Sequence, residues 1–335
     1  MRILVTGAAG FVAYHLIHSL LKEGHVVVGV DNMMSGQERN ITDLKSEFKN
    51  QFSFIRADIN ELAPAAIAAN SEWASLLSAQ TNAAAAKNFE RVYHLACPAS
   101  PPIYQKDMLH TLDTCYIGSR HMYELAAAHK ARILIASTSE VYGDPEVHPQ
   151  PESYRGNVNT VGIRSCYDEG KRAMETMGFI YAEQRGLEVR TARIFNTYGP
   201  RMSPIDGRVL TNFISQALAG EALTVFGDGQ QTRSFCYVED LVRGLRLLME
   251  SKTTDPVNLG SQFEFTILEM AEKVVHWINP KLTIKYLPLP KDDPKVRRPN
   301  TSRAKELLGW ETKVSLEEGV GKMIASFKDD LARKG

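Results

Sequence analysis

The chain has 335 residues, of which 44% are hydrophobic and 23% are charged, and its 39 basic side chains are balanced by 39 acidic ones. This composition is typical of one or two globular domains. The balanced charge and the lack of a dense Lys/Arg block argue against nucleic acid or an anionic membrane as the main partner. No apolar run reaches the length of about 18 residues that a membrane span needs.

An apolar segment, residues 2–5, follows Met1 directly, so we expect no signal peptide, no membrane anchor and a cytoplasmic location. The cysteines lack CxxC spacing, which favours buried thiols over zinc ligands or disulfides and predicts no metal site. They are Cys97, Cys115, Cys166 and Cys236.

Residues 2–5 predict a strand, and residues 14–23 predict a helix that ends at Gly24. The turn between them contains Gly7 and Gly10, which allow a tight bend and the close approach of a pyrophosphate. The N-terminus of the following helix offers unpaired N–H groups to phosphates. This order of elements predicts a dinucleotide site.

The next predicted strand, residues 25–30, leads to Asp31, about 20 residues after the glycines, where a carboxylate would accept hydrogen bonds from a ribose. Asp31 would repel a 2′-phosphate, which favours NAD over NADP. Arg39 lies nearby and leaves the alternative of NADP open.

Further strands are predicted at residues 52–55, 91–95, 132–136 and 187–193, separated by helical patterns. This alternation indicates an α/β fold with a doubly wound, mostly parallel sheet covered on both faces. The alanine-rich residues 61–88 interrupt the alternation, and we interpret them as an inserted surface helix or loop.

Tyr167 and Lys171 lie one turn apart on a helix predicted over residues 167–184. An ammonium beside a phenol would lower the pKa of the phenol, which suits a tyrosine for proton transfer. The alternative is an ordinary pair on a solvated helix face. This helix and the pattern over residues 108–129 also suggest a two-fold homodimer.

From about Thr197 the chain has more turns and shorter helices, and we expect this part to form a smaller α/β region that supplies the substrate pocket. We predict a dinucleotide-binding domain over residues 1–196 and a mainly substrate-binding region over residues 197–330, part of which returns to the first sheet.

Several motifs add to the glycine turn, Asp31 and the Tyr167 to Lys171 pair. They are Ser137-Thr138-Ser139-Glu140-Val141-Tyr142-Gly143, His94-Leu95-Ala96-Cys97-Pro98, Arg193-Ile194-Phe195-Asn196-Thr197-Tyr198-Gly199-Pro200, Gln231-Thr232-Arg233-Ser234-Phe235 and Asp292-Asp293-Pro294. With them the chain resembles an extended short-chain dehydrogenase/reductase and, more narrowly, the UDP-glucuronic acid decarboxylases. Ala13, in place of the third glycine, departs from the family pattern.

The resemblance implies a Rossmann fold, NAD as cofactor and UDP-glucuronate as substrate. It implies that Tyr167 takes the C4 hydroxyl proton while NAD takes the hydride, that the β-keto acid loses CO2, and that NADH then reduces C4. The net products are UDP-xylose and CO2.

The resemblance also assigns roles to individual residues. The catalytic residues implied are Tyr167, Lys171, Glu140, Ser139, Thr138 and Arg297. The residues implied to bind the cofactor are Gly7, Gly10, Phe11, Val12, Asp31, Asn32, Ser35, Gly36, Asp58, Ile59, Leu95, Cys97, Thr114, Tyr167, Lys171 and Thr197. The residues implied to bind substrate are Pro101, Tyr104, Asn196, Arg208, Asn212, Thr224, Phe226, Arg233 and Arg297.

Two of these residues also have a purely structural interpretation. The alternative for Glu140 is a surface or helix-capping carboxylate, and the alternative for Arg297 is a place in a solvated basic loop. Ser139 stands where related dehydratases have an aspartate, which speaks against water elimination. Two other functions remain open. One is a UDP-glucuronate 4-epimerase or another NAD-dependent nucleotide-sugar enzyme, and the other is a non-enzymatic NAD sensor.

Overall fold

The structure is a computed structural model that describes residues 1–77, 88–289 and 295–333. Its strands are β1 (Arg2–Thr6), β2 (Val26–Asp31), β3 (Phe52–Arg56), β4 (Arg91–His94), β5 (Arg132–Thr138), β6 (Val189–Ile194), β7 (Thr197–Tyr198), β8 (Leu223–Phe226), β9 (Thr232–Ser234), β10 (Cys236–Tyr237), β11 (Val257–Leu259), β12 (Glu264–Thr266) and β13 (Ile284–Leu287). Its helices are α1 (Phe11–Lys22), α2 (Glu38–Glu47), α3 (Pro64–Ala69), α4 (Ser71–Leu77), α5 (Pro101–Tyr104), α6 (Met108–Asp113), α7 (Ser119–His129), α8 (Ser165–Arg185), α9 (Val209–Leu218), α10 (Val238–Glu250), α11 (Ile267–Ile278), α12 (Ser302–Leu308) and α13 (Leu316–Ala332).

Seven of the described strands form one sheet in the order β11-β6-β5-β4-β1-β2-β3, and every pair in it is parallel. The chain starts in the middle, builds to one edge, crosses back and builds to the other edge. Two hydrophobic clusters involve this sheet and the helices around it. The structure therefore confirms the doubly wound parallel fold.

The six predicted strands all belong to this sheet, with ends that differ by one or two residues from the prediction. β5 is buried from Ile133 to Thr138, as expected for a central strand of a parallel sheet, which is covered on both faces. The predicted helix over residues 108–129 is helical throughout, but it is not a single α-helix. A π-helical turn, Thr114–Gly118, separates α6 from α7.

The C-terminal half contributes three small two-stranded pairs, β7 with β10, β9 with β12 and β8 with β13. β11 instead pairs with β6 at the edge of the central sheet. The boundary that we place at residue 196 remains a prediction, since nothing observed divides the chain there.

The described part of segment 61–88 contains α3 and α4. Ile67 and Leu77 are buried in the hydrophobic cluster that also contains Val92 of β4. His129 at the end of α7 bonds to the carbonyl of Leu77, with 2.7 Å between Nε2 and O. This part therefore packs against the neighbouring strand and helix, while residues 78–87 lie outside the described residues.

Among the described helices, none combines the length and the apolar character that crossing a bilayer requires.

Candidate active site

The turn between β1 and α1 is built on Gly7, whose φ is +71°. A Cβ at this position would lie 3.0 Å from backbone atoms of Leu95 and Ala96, so the turn packs directly on the loop after β4. Gly10 precedes α1, and no side chain caps the first N–H groups of that helix. Uncapped N–H groups at a helix start favour an anionic group such as a pyrophosphate.

Asp31 ends β2, as the sequence predicts, and its carboxylate accepts hydrogen bonds from the N–H groups of Ala9 at 3.0 Å and Met33 at 2.7 Å. Burial raises the pKa of Asp31, and these hydrogen bonds only partly offset that effect. Arg39 forms an ion pair with Asp330 of α13. Asp330 partly neutralises Arg39, and Asp31 would repel a 2′-phosphate, so the charges at this end of the cleft favour NAD.

Asp58 lies beyond β3 and bonds to Asn32 and to His110, both at 2.7 Å. Burial alone would raise the pKa of Asp58, but the hydrogen bonds from the Asn60 N–H, His110 and Asn32 outweigh it and lower that pKa. Asn60 also bonds weakly to Thr114, at 3.4 Å. This polar cluster lies at the same edge of the sheet as Asp31.

A cavity of about 1290 Å³ extends from the glycine turn to β8. The predicted residues that line it are Gly7, Gly10, Phe11, Val12, Ser35, Gly36, Leu95, Cys97, Pro101, Tyr104, Thr138, Ser139, Glu140, Tyr167, Lys171, Asn196, Thr197, Arg208, Asn212, Thr224, Phe226, Arg233 and Arg297. The predicted cofactor residues that do not line it are Asp31, Asn32, Asp58, Ile59 and Thr114. The individual binding roles of all these residues stay predictions.

Tyr167 and Lys171 lie on the wall formed by α8, where they are 5% and 3% exposed, so the alternative of a solvated pair is wrong. The Tyr167 ring is stacked on the ring of Tyr104, with centroids 5.0 Å apart and 5° between the planes. The Lys171 ammonium donates to the carbonyl of Ala136 at 2.8 Å, and lies 5.7 Å from the centre of the Tyr167 ring.

The pKa of Tyr167 is raised in this structure, and the contribution of Lys171 to it stays a prediction. Burial, together with the negative charges at Cys97 and Glu140, raises the pKa of Tyr167 well above its usual value, and a hydrogen bond with Thr138 only partly offsets this. Residues spaced by four share a helix face, but this spacing does not bring their terminal atoms together. Here the ammonium reaches β5 instead.

Glu140 follows β5 and is held by two arginines from distant parts of the chain. Arg297 binds both of its carboxylate oxygens, and Arg164 donates to Oε2 at 2.6 Å. Burial alone would raise the pKa of Glu140, but the two guanidinium groups lower it to about 2. Glu140 is therefore ionised, its side chain is only 13% exposed, and Arg297 is 5% exposed, so neither a surface carboxylate nor a solvated basic loop describes them.

The far end of the cavity holds the residues predicted to bind substrate. Arg208 precedes α9 and is paired with Asp206, with 2.9 Å between Nη2 and Oδ2. Arg233 on β9 is 6% exposed and donates to the carbonyl of Thr232 at 2.8 Å. Guanidinium groups at a cavity wall suit a diphosphate.

Sequence reasoning missed Arg164 and Asp206, which hold Glu140 and Arg208. One sequence feature could have pointed to Arg164: it lies three residues before Tyr167, at the start of α8. Its partner Glu140 lies 24 residues earlier, and no sequence pattern joins the two. The motif Asp292-Asp293-Pro294 lies outside the described residues.

The parallel sheet, the uncapped glycine turn and the buried Tyr–Lys helix define an extended short-chain dehydrogenase/reductase. The family described as GDP-mannose 4,6 dehydratase matches residues 4–323. UDP-glucuronic acid decarboxylase 3 from Arabidopsis thaliana is 50% identical over 98% of this chain and 89% of its own. UDP-glucuronic acid decarboxylase 1 from Danio rerio is 49% identical over 98% of this chain and 73% of its own. The chain therefore belongs to the GDP-mannose 4,6 dehydratase family and, within it, to the UDP-glucuronic acid decarboxylases.

Solved structures with the same fold include epimerases. UDP-glucose 4-epimerase from Thermotoga maritima, with UDP-glucose, superposes with a TM-score of 0.85 at 29% identity, over 99% of this chain and 100% of its own. UDP-glucuronic acid 4-epimerase from Bacillus cereus, in complex with UDP-glucuronic acid and NAD, superposes with a TM-score of 0.82 at 27% identity, over 98% of this chain and 99% of its own.

Proposed function

We propose that this protein converts UDP-glucuronate to UDP-xylose and CO2, using NAD that it regenerates within each catalytic cycle. The observation that carries the proposal is the Glu140 cluster, in which Arg164 and Arg297 bring two guanidinium groups to the cavity beside Tyr167. The sugar of this substrate carries a carboxylate, unlike the neutral sugar of UDP-glucose. A guanidinium group can donate two parallel hydrogen bonds to such a carboxylate.

The residues at the glycine turn fit NAD. The uncapped start of α1 would hold the pyrophosphate, and Asp31 would accept from the adenosine ribose. Ser35 and Gly36, which line the cavity, would contact the cofactor from the same side. Asn32, Asp58, Ile59 and Thr114 do not line the cavity and would support the cofactor site from behind its wall. Bound NAD supplies a hydride acceptor for C4 of the sugar and later a hydride donor.

In the proposed reaction the phenolic oxygen of Tyr167 receives the C4 hydroxyl proton and later returns it. Thr138 bonds near the C4 oxygen, and Lys171 holds the nicotinamide ribose. Oxidation at C4 makes the substrate a β-keto acid, and the bond between C5 and the carboxyl carbon then breaks, with the electron pair passing to the C4 carbonyl. Because burial raises the pKa of Tyr167, turnover should rise with pH through the neutral range.

In the proposed complex Arg297 leaves its ion pair with Glu140 and binds the substrate carboxylate instead, while Arg164 continues to hold Glu140. Ser139 and Glu140 face the sugar ring and support protonation at C5. Asn196, Arg208 and Arg233 hold the sugar and the diphosphate, and Pro101, Tyr104, Asn212, Thr224 and Phe226 complete the substrate region. Ser139 in place of an aspartate favours decarboxylation over dehydration.

The direct test is to incubate the purified protein with UDP-glucuronate, with and without added NAD, and to follow sugar protons by NMR together with CO2 release. UDP-xylose and CO2 in equal amounts are the expected products. UDP-galacturonate without CO2 would mean an epimerase, and unchanged substrate with tight NAD binding would mean a sensor. Either result would overturn the proposal.

We also propose a homodimer and a cytoplasmic location. Apolar side chains on α6, the π-helical turn and α8 face outward, and Leu109, Tyr116 and Phe179 are 76%, 52% and 67% exposed. Helices of this kind can pack against their copies across a two-fold axis. The location rests on the four thiols, none of which is in a disulfide.

Light scattering coupled to size exclusion tests the dimer. The wild type should elute at twice the chain mass, and Phe179→Glu should shift it towards the monomer. Phe263→Glu alters a phenylalanine of similar exposure, 71%, away from these helices, and should leave the mass unchanged. A monomeric wild type would contradict the dimer. Fractionation of cells that express the chain would test the location.

A further inference from the structure

Two cysteines meet at the cleft wall next to Tyr167, and the decarboxylation chemistry uses neither sulfur. Cys97 lies in the loop after β4, and Cys115 lies in the π-helical turn between α6 and α7. Their Sγ atoms are 3.3 Å apart, within hydrogen-bond distance for sulfur and not bonded. Disulfide sulfurs are about 2.05 Å apart, so closing this pair needs a movement of only about 1.2 Å.

The two thiols differ in access. Cys97 is partly exposed and lines the cavity, while Cys115 is 1% exposed and lies behind it. A soluble oxidant that enters the cleft therefore reaches Cys97 first. Cys115 is the only other thiol within bonding distance of that sulfur among the described residues.

The packing behind Cys115 directs its sulfur towards Cys97. Gly170 of α8 faces it so closely that an added Cβ would lie 2.9 Å from Cys115 Cβ and 3.1 Å from its Sγ. Any larger residue at this position would meet the thiol. Cys115 thus has a rigid helix at its back, and the irregular loop that carries Cys97 is the part that can adjust.

The electrostatic surroundings favour attack by Cys97. Burial alone would raise the pKa of the Cys97 thiol, but the hydrogen bond with Cys115 and the positive charges of Lys171 and His110 lower it to about 7. The pKa of Cys115 is raised by the same hydrogen bond and by burial. A thiolate is the nucleophile in thiol chemistry, so one member of the pair is activated and the other supplies a proton.

We propose that Cys97 and Cys115 form an oxidation site in which a peroxide converts the pair to a disulfide and reversibly slows turnover. The Cys97 thiolate attacks one peroxide oxygen, so that an S–O bond forms, the O–O bond breaks and hydroxide leaves. Cys115 sulfur then attacks the sulfenic sulfur, an S–S bond forms, the S–O bond breaks, and the departing hydroxide takes the Cys115 proton. The hydroxide released in the first step takes up the proton that Cys97 lost when it ionised. Two thiols lose two electrons, one peroxide gains them, and two waters form.

Closing this bond would disturb the reaction centre because of where Cys97 lies. Its loop continues through Ser100 to Pro101, which lines the cavity, and its charge acts on the phenol of Tyr167. A displacement near 1 Å at a reacting centre costs up to about 100-fold in rate. We therefore expect the oxidised enzyme to lose about 10- to 100-fold in activity.

The test treats the purified full chain with hydrogen peroxide, unfolds it in denaturant so that the buried Cys236 can react, blocks free thiols with N-ethylmaleimide and maps the peptides by mass spectrometry. The expected product is about 2 Da lighter before alkylation and contains one peptide pair linked through Cys97 and Cys115. Two of the four thiols should remain open to alkylation. Dithiothreitol should restore both the thiols and the activity.

Two variants sharpen the test. Cys115→Ser removes the resolving thiol, so Cys97 should proceed to a sulfinic acid, about 32 Da heavier, that dithiothreitol does not reduce. Cys236→Ser removes a buried thiol of the hydrophobic core and should form the same disulfide as the wild type. Four free thiols after oxidation of the wild type, or a disulfide that involves Cys166, would overturn the proposal whatever the variants do.

Discussion

Two walls of the cleft hold charged residues, and they are built in different ways. On the wall formed by α8, Tyr167 and Lys171 are neighbours on one helix, yet the ammonium bonds to Ala136 and the phenol keeps a raised pKa. On the neighbouring wall at the end of β5, Glu140 is bound by Arg297 from 157 residues away and by Arg164 at the start of α8. Tyr167 and Lys171, which are close in sequence, share a helix face without a hydrogen bond between them, whereas Glu140 forms ion pairs with arginines 24 and 157 residues away.

Because of this difference, substitutions on the two walls should have different effects. The proposed proton transfer depends on the hydroxyl group of Tyr167 itself, because the surrounding residues raise the pKa of this phenol but do not carry out the transfer. Glu140 depends on its partners, since a buried carboxylate without them would be protonated or would destabilise the fold. Substitutions on the first wall should therefore alter chemistry, and those on the second should alter stability and substrate binding together.

Tyr167→Phe should have the largest effect. It removes the oxygen that takes and returns the C4 proton, and keeps the ring that stacks on Tyr104. We expect kcat to fall by about 10²- to 10⁴-fold, the usual contribution of a positioned acid or base. CO2 release measures this loss.

The control is Tyr181→Phe, on the same helix but outside the cavity, which should retain wild-type turnover. Undiminished CO2 release by Tyr167→Phe would remove this residue from the mechanism.

Glu140→Gln should next affect stability, in a way that depends on pH. Folding lowers the pKa of Glu140 to about 2. Its contribution is fully present above the ordinary value of about 4.3 and is lost as the pH falls through about 2. At pH 7 the variant leaves the buried Arg297 without its carboxylate and leaves Arg164 with only the longer contact to Asp168, and we expect a loss of about 3 kcal/mol in the free energy of unfolding.

Denaturant unfolding between pH 7 and pH 2 would measure the difference between wild type and Glu140→Gln, which should shrink as the pH falls. Glu306→Gln alters an exposed carboxylate and should differ little from the wild type at any pH. A constant difference over the whole pH range would contradict the assignment.

Arg297→Lys keeps the positive charge and removes the planar fork. An ammonium cannot donate two parallel hydrogen bonds to one carboxylate, so we expect kcat/KM for UDP-glucuronate to fall about 10- to 100-fold, equivalent to about 1.5–3 kcal/mol for a charged hydrogen bond. The neighbouring Arg298→Lys is the matched control, because Arg298 is half-exposed and lies 3.5 Å from Glu264. Equal losses in both variants would argue against a special role for Arg297.

Asp31→Asn should have the smallest effect. Removing one charge near the adenosine ribose lowers the repulsion of a 2′-phosphate by about 1 kcal/mol, and the preference for NAD over NADP should fall about fivefold. Titration of both dinucleotides against the protein would measure the ratio. Asp43→Asn, on α2, should leave the ratio unchanged. An unchanged ratio in Asp31→Asn would place the selectivity elsewhere.

Much of the fold could be predicted because its signals are local. Short apolar runs marked the strands of the central sheet, and the two glycines between β1 and α1 marked the turn. Segment 61–88 was harder, since alanine-rich sequence carries little information about what it packs against. Only the folded chain shows that Ile67 and Leu77 join the core. The π-helical turn at Cys115 also lacked a sequence signal.

By itself the sequence determined the parallel fold, the phosphate-binding turn, the acidic residue at the end of β2 and the pairing of Tyr167 with Lys171 on one helix face. These features depend on residue spacing within one or two elements. Only the tertiary structure decided that Lys171 bonds to Ala136, that Arg164 and Arg297 hold Glu140, and that Cys97 meets Cys115. Such contacts join residues far apart in the chain, and packing of whole elements sets the positions of their terminal atoms.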